Sequence, residues 1–165
     1  MKSNVLPFAC VCGLLALTAC SKNDNSASAA APAAAAESNV VSVELTAGDS
    51  MKYNVAAITA KPGEEVHVSL TNVGTMPKAA MAHNFILLKK DADVKAFTDA
   101  AVSAAATDYI PASQSAEIIA HTKLLGPKQS DEITFTAPTE PGDYPYLCSF
   151  PAHYAAGMHG VLTVK

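Results

Sequence analysis

From Val40 onward, apolar and polar residues alternate in short runs, each closed by Gly, Pro, Asn or Asp. Alternation with a period of two turns one face of a strand toward a core and the other toward water. The pattern predicts seven strands: Val40 to Leu45, Asn54 to Ile58, Glu65 to Thr71, Asn84 to Lys89, Glu132 to Thr136, Asp143 to Ser149 and Gly160 to Val164. Turns fall at Ala47-Gly48-Asp49, Lys61-Pro62-Gly63, Asn72-Val73-Gly74 and Pro141-Gly142, where these residue types supply the required backbone geometry. Many short strands with turn signals between them predict an all-β sandwich. One segment departs from the alternation. Between Asp91 and about Tyr109, Val94, Phe97, Ala101 and Ala105 recur at a spacing of three to four, and Asp91 and Asp93 stand where a helix N-terminus favours negative charge. One helix is therefore expected within an otherwise β chain.

In the strand Asp143 to Ser149 the alternation places Tyr144, Tyr146 and Cys148 on one face, which two tyrosines mark as the core side. Pro145 falls on the opposite set and suits an edge or end position. The segment Ser149 to His159 then joins the last two strands at one end of the sandwich.

Residues 1–39 have a different character. MKSNVLPFACVCGLLALTAC has a basic start at Lys2, an apolar run from Val5 to Leu17 and small residues before Cys20, the build of an export signal. The run is short for a membrane span, which needs about 20 apolar residues. Leu17-Thr18-Ala19-Cys20 resembles the lipobox of bacterial lipoproteins, and the resemblance implies a signal peptide over 1–19 and lipidation of Cys20. Ser21 resembles the class sorted to the outer membrane. Residues 20–38, rich in Ser, Ala, Asn and Pro, offer little bulk for burial and read as a lipidated N-terminus and flexible tether. The folded domain is expected over 39–165.

Charge narrows the partners. There are eleven Lys and no Arg against fifteen Asp and Glu, so no basic cluster recommends nucleic acid. Of four cysteines, Cys10 and Cys12 leave with the signal and Cys20 is lipidated, leaving Cys148 as an exported thiol without a disulfide partner.

That thiol opens the stretch CSFPAHYAAGM, in which Cys148, His153 and Met158 recur every five residues. Soft sulfur with imidazole selects copper or zinc, and two His with one Cys and a distant Met describes a blue-copper site. The loop supplies one histidine. Of the others, His67 between Val66 and Val68 points to solvent, His121 reads as a surface residue, and His159 points away from an ion bound by Met158. His83 precedes the apolar strand Asn84-Phe85-Ile86-Leu87-Leu88, and Asn84 could steady the Cys148 sulfur from behind.

MAHN (Met81 to Asn84), CSFPAHYAAGM and the closing GVLTVK together resemble the cupredoxins, and within them the azurins and auracyanins. Met76-Pro77-Lys78 and Ile118 to Lys123 add to the likeness, which spans roughly Asn39 to Lys165. The resemblance implies a Greek-key β-sandwich with a helical insertion, binding one type 1 copper ion. His83, Cys148 and His153 would form the copper plane, Met158 the axial sulfur and the Ala82 carbonyl a weak fifth contact. Asn84 would hold the cysteine, and Phe150 and Pro151 would shape the loop. It further implies single-electron transfer to transient protein partners through the His153 edge, protruding from an apolar rim of Met76, Met81, Phe150 and Ala152. A monomer is expected, lipid-anchored in the bacterial envelope, at the outer membrane and facing the periplasm.

Four residues lie between His153 and Met158, as in auracyanins, where azurins have three. Ala82 and Ala152 stand where azurins have glycine, and the azurin disulfide has no counterpart. Copper oxidases and nitrite reductases place a histidine beside the cysteine to reach a further copper; here the neighbours are Leu147 and Ser149. Catalysis is therefore not expected. The alternative is a copper-binding protein for storage or delivery.

Overall fold

The computed structural model describes residues 40–165. The signal, tether and Cys20 expectations lie outside the described residues. Among the described residues, eight strands form two sheets. β1 (Val40–Ala47), β3 (Glu65–Asn72) and β6 (Ser130–Thr136) make a three-stranded sheet in the order β1-β3-β6. The second sheet runs β2-β8-β7-β4-β5, with β2 at Ala57–Ala60, β4 at Ile86–Leu88, β5 at Ile118–His121, β7 at Gly142–Leu147 and β8 at His159–Val164. β1 pairs parallel to β3 and β2 parallel to β8, while the remaining pairs are antiparallel. The chain crosses between the sheets at every step except β4 to β5 and β7 to β8, and the all-β sandwich expected from the alternation is the fold.

The alternation explains the core directly. Val43 and Leu45 from β1, Val66, Val68 and Leu70 from β3, and Leu162 and Val164 from β8 are buried between the sheets. Tyr144, Tyr146 and Cys148 join them on the predicted face. Gly160 admits the Tyr146 ring, because a side chain there would collide with the phenol and with the Ala56 carbonyl. Pro145 sits on a central strand, but β4 pairs with β7 only at Tyr146 and Leu147. The proline therefore lies beyond β4, where its missing N–H leaves no bond to β4 unmade.

β4 is buried on both faces, which is why Ile86-Leu87-Leu88 is continuously apolar. Its outer face, with Leu147, is covered by α1 (Val94–Val102) through Phe97. Asp93 caps α1 by accepting from the Ala96 N–H at 3.0 Å. The helix is shorter than the spacing predicts. It stops at Val102, and Ala105, the next residue in the stripe, is exposed in a separate 3-10 turn. Asp108 and Tyr109 then adopt positive φ values of 52° and 62°, which no helix continues through.

Two strands also differ from expectation. The second lies at Ala57–Ala60 rather than Asn54 to Ile58, because Asn54 spends its carboxamide on β1: Oδ1 accepts from the Thr46 N–H at 2.6 Å and Nδ2 donates to the Glu44 carbonyl at 3.1 Å. β5 was not predicted. It pairs with β4 across a register shift at Leu87/Leu88.

Removing the Phe97 side chain empties the space between α1 and the sheet. Phe97→Ala is expected to cost about 3–5 kcal/mol in urea unfolding, with metal binding by the folded fraction preserved.

Candidate metal centre

One end of the sandwich gathers three segments. His83 enters just before β4, held by reciprocal backbone bonds with Leu125: its N–H donates to the Leu125 carbonyl at 3.1 Å and its carbonyl accepts at 2.8 Å. Cys148 follows β7 directly, and its N–H donates to the Met158 carbonyl at 3.2 Å. Between them the loop coils on itself. The His153 N–H donates to the Phe150 carbonyl at 3.1 Å, Ala156 to Ala152 at 2.9 Å, and Met158 to His153 at 2.9 Å. Ala152 takes a positive φ of 69° to make this turn, a conformation that suits glycine better than alanine.

The ligand atoms of His83, Cys148 and His153 all lie within 4.8 Å of one another. Cys148 Sγ is 3.4 Å from His153 Nδ1 and 3.9 Å from the Ala82 carbonyl oxygen. The two imidazole centroids are 4.9 Å apart. Met158 is fully buried in the same core cluster as Cys148 and Ala82.

Both nitrogens of His83 are buried without a hydrogen-bond partner. A buried polar atom left unpaired costs about 1–3 kcal/mol, so a folded protein leaves such atoms only where something else satisfies them. Burial lowers the pKa of His83, opposed by the Asp49 charge and the Gly48 carbonyl. Burial likewise lowers that of His153 to about 4, with His83 adding to the effect. It pushes the Cys148 thiol up to about 12, against the backbone N–H groups of Asn84 and Phe150, which favour thiolate. Two imidazoles held neutral and one sulfur facing N–H donors fit a soft, borderline cation that displaces the thiol proton.

Asn84 holds the cysteine from behind. Its Nδ2 donates to Ser149 Oγ at 2.9 Å and its Oδ1 accepts from the Ser149 N–H at 3.0 Å. Ser149, whose part in this clamp the sequence reading missed, carries no signal beyond its place next to Cys148. Phe150 packs between Tyr109, which meets it edge-on, and His153, which lies tilted against it, with centroids 5.0 and 4.7 Å away. It is only 9 % exposed and His153 only 2 %. The expected protruding His153 edge and Phe150 rim are thus corrected: the stack needed to hold His153 buries both rings. Met76, at 40 % exposure, and exposed Ala152 lie at the surface, with Met81 half-buried.

The other histidines stay apart from the centre. His67 faces outward, 3.6 Å from Glu132. Exposed His121 lies with Nδ1 3.1 Å from the Thr122 carbonyl, and exposed His159 packs on Tyr154.

The plastocyanin/azurin family of copper binding proteins matches residues 39–165; the chain belongs to that family. Azurin-2 of Alcaligenes xylosoxydans xylosoxydans is 42 % identical over 122 residues, covering 72 % of this chain and 92 % of that protein. Outer membrane protein H.8 of Neisseria gonorrhoeae is 36 % identical over 122 residues, 73 % of this chain but 65 % of that protein. The reduced auracyanin of Roseiflexus castenholzii superposes with a TM-score of 0.67 at 39 % identity, covering 76 % of this chain and 97 % of that one. The chain is an azurin- and auracyanin-like cupredoxin, an electron-transfer protein with one type 1 copper.

The depressed pKa of His153 makes a prediction about pH. Its ordinary value is 6.5 and its folded value about 4, so between these the unfolded chain binds more protons. Its stabilising contribution is complete above about pH 6.5 and is lost as pH falls through about 4. Metal-free protein is expected to lose up to about 3 kcal/mol from this group over that interval. Urea unfolding of the wild type and His153→Gln should show a shallower slope in the variant; parallel curves would refute the assignment.

Proposed function

We propose that this protein shuttles single electrons at the bacterial envelope, with His83, Cys148 and His153 the side chains that would hold its copper and Met158 a further, weaker sulfur donor. The observation that carries this reading is the pair of unpartnered nitrogens on buried His83, beside a thiol and a second imidazole. Copper supplies the Cu(I)/Cu(II) couple. The chain's own residues hold the donors in place and keep water out. All four side chains are at most 2 % exposed, which leaves no open position for a substrate such as a catalytic metal keeps. The same enclosure favours a carrier over a protein for copper storage or delivery, because handover needs a ligand that can swing clear.

In this reading the Ala82 carbonyl, 3.9 Å from the sulfur, is a weak fifth contact. Asn84 fixes the sulfur through Ser149, and Phe150 fixes the His153 ring. Redox partners dock transiently on the surface of Met76, Met81 and Ala152 above His153, and the protein acts as a monomer. Small contact areas suit such short encounters.

Residues 1–19 act as a signal peptide, Cys20 carries the lipid, and residues 20–38 tether the copper domain, facing the periplasm, to the outer membrane. The lipobox-like Leu17-Thr18-Ala19-Cys20 supports this, as does similarity to a relative named as an outer membrane protein. Several acyl chains together anchor stably where a single chain does not.

Copper(II) added to the domain is expected to give an intense visible thiolate-to-metal absorption. Cys148→Ser should abolish it and His121→Gln should leave it intact; a colourless wild type that holds copper weakly would overturn the proposal. Cys20→Ala is expected to move the protein from the membrane to the soluble fraction, checked by fractionation with fatty-acid labelling.

A further inference from the structure

The turn that follows β1, Gly48 to Tyr53, is far in sequence from every ligand of the metal centre, yet three of its side chains reach that centre's supports. Asp49 accepts from the Thr75 N–H at 3.1 Å, the Thr75 hydroxyl at 2.8 Å and the Met76 N–H at 3.4 Å. It thereby holds the segment leading to His83. Gly74 is required beside it, since a Cβ there would stand 2.5 Å from Asp49 Oδ1. The Tyr53 hydroxyl donates to the carbonyl of Asn84, the residue after His83. The Lys52 ammonium donates to the carbonyl of Ala156 and lies against Gly157, in the turn between His153 and Met158.

The turn is itself fixed. The Met51 N–H donates to the Gly48 carbonyl at 3.0 Å, and Met51 takes a positive φ of 53°. Its ends return to β1 through the Ala47–Tyr53 bridge and both bonds of the Asn54 carboxamide. A turn anchored on the three-stranded sheet therefore touches both ligand-bearing segments, which adjoin strands of the other sheet.

We propose that Gly48–Tyr53 is a strap that holds the ligand segments in register, with Lys52 the positioning residue for the loop between His153 and Met158. This rests on the copper reading of the site. The loop closes one helix-like turn, with the Ala156 N–H on the Ala152 carbonyl at 2.9 Å. The His153 and Tyr154 carbonyls accept from the Met158 and Gly157 N–H groups at 2.9 and 2.8 Å, which leaves the Ala156 carbonyl at the end of the turn without a backbone donor, where such groups carry partial negative charge. A cation at the Ala156 carbonyl satisfies that end and stops the loop from unwinding toward Met158. The loop carries one residue more than the azurin spacing, and Lys52 grips it at Ala156 and Gly157.

Lys52 is exposed, so Lys52→Met keeps the stem and removes the ammonium without opening the core. In metal-free protein, Lys52→Met is expected to raise amide hydrogen exchange at Ala156, Gly157 and Met158 while the β3 and β8 amides stay as in the wild type. In copper-loaded protein, it is expected to release copper to a strong chelator on the order of tenfold faster and to shift the reduction potential. Lys52→Arg should restore all three properties. Asp49→Asn provides a second test, expected to raise exchange at Thr75 and Met76. Unchanged loop exchange in Lys52→Met, or an equal rise across all strands, would overturn the strap. A wild type that fails to take copper would instead remove the copper reading, and the metal-free exchange measurement would still decide whether the strap exists.

Discussion

The structure depends on a cost incurred at one end of the sandwich. Two imidazoles and a thiol are buried together, and His83 has no internal partner for either ring nitrogen. Such a cluster persists only if the rest of the fold prevents it from relaxing. The two sheets supply that restraint: Leu125 fixes His83 through the backbone, β7 delivers Cys148 at its inner end, and the Asn84 clamp ties the two through Ser149. Rigidity here serves the chemistry. Donors held this firmly would have little to reorganise if a bound copper changed oxidation state.

Much of this arrangement was legible in the residues. The period-two pattern identifies the core faces of β1, β3, β7 and β8, and the spacing of Cys148, His153 and Met158 marks a loop able to converge on one ion. His83 stands out by its apolar neighbours and its place before β4. What escaped the reading has physical causes. β5 is four half-buried or exposed residues with no clean alternation, because the 3-10 turns before it and the register shift on β4 leave neither face clearly buried. The helix ends early since its packing stripe stops at Ala101, with Val94, Phe97 and Ala101 inward and Ala105 exposed. Strand two is displaced because Asn54 binds backbone through its side chain, a choice no periodicity reports.

The centre is more enclosed than its residues predict. A loop histidine reaching solvent requires its neighbours to stand aside, whereas here Tyr109, Phe150 and His153 pack ring on ring. Tyr109 reaches those rings from a left-handed backbone position just after the 3-10 turn that follows α1. The insertion that covers the outer face of the second sheet thus also closes one side of the metal centre, linking helix packing to the environment of a ligand.

The lone thiol has a further consequence for how the protein matures. A thiolate is what oxidants and other thiols attack, and burial that pushes the Cys148 pKa to about 12 leaves almost none of it at neutral pH. In the metal-free fold, burial therefore leaves little thiolate at Cys148 for an oxidant to attack. Folding acts as the protecting group, and a copper ion held by Cys148 would supply the charge that favours its thiolate.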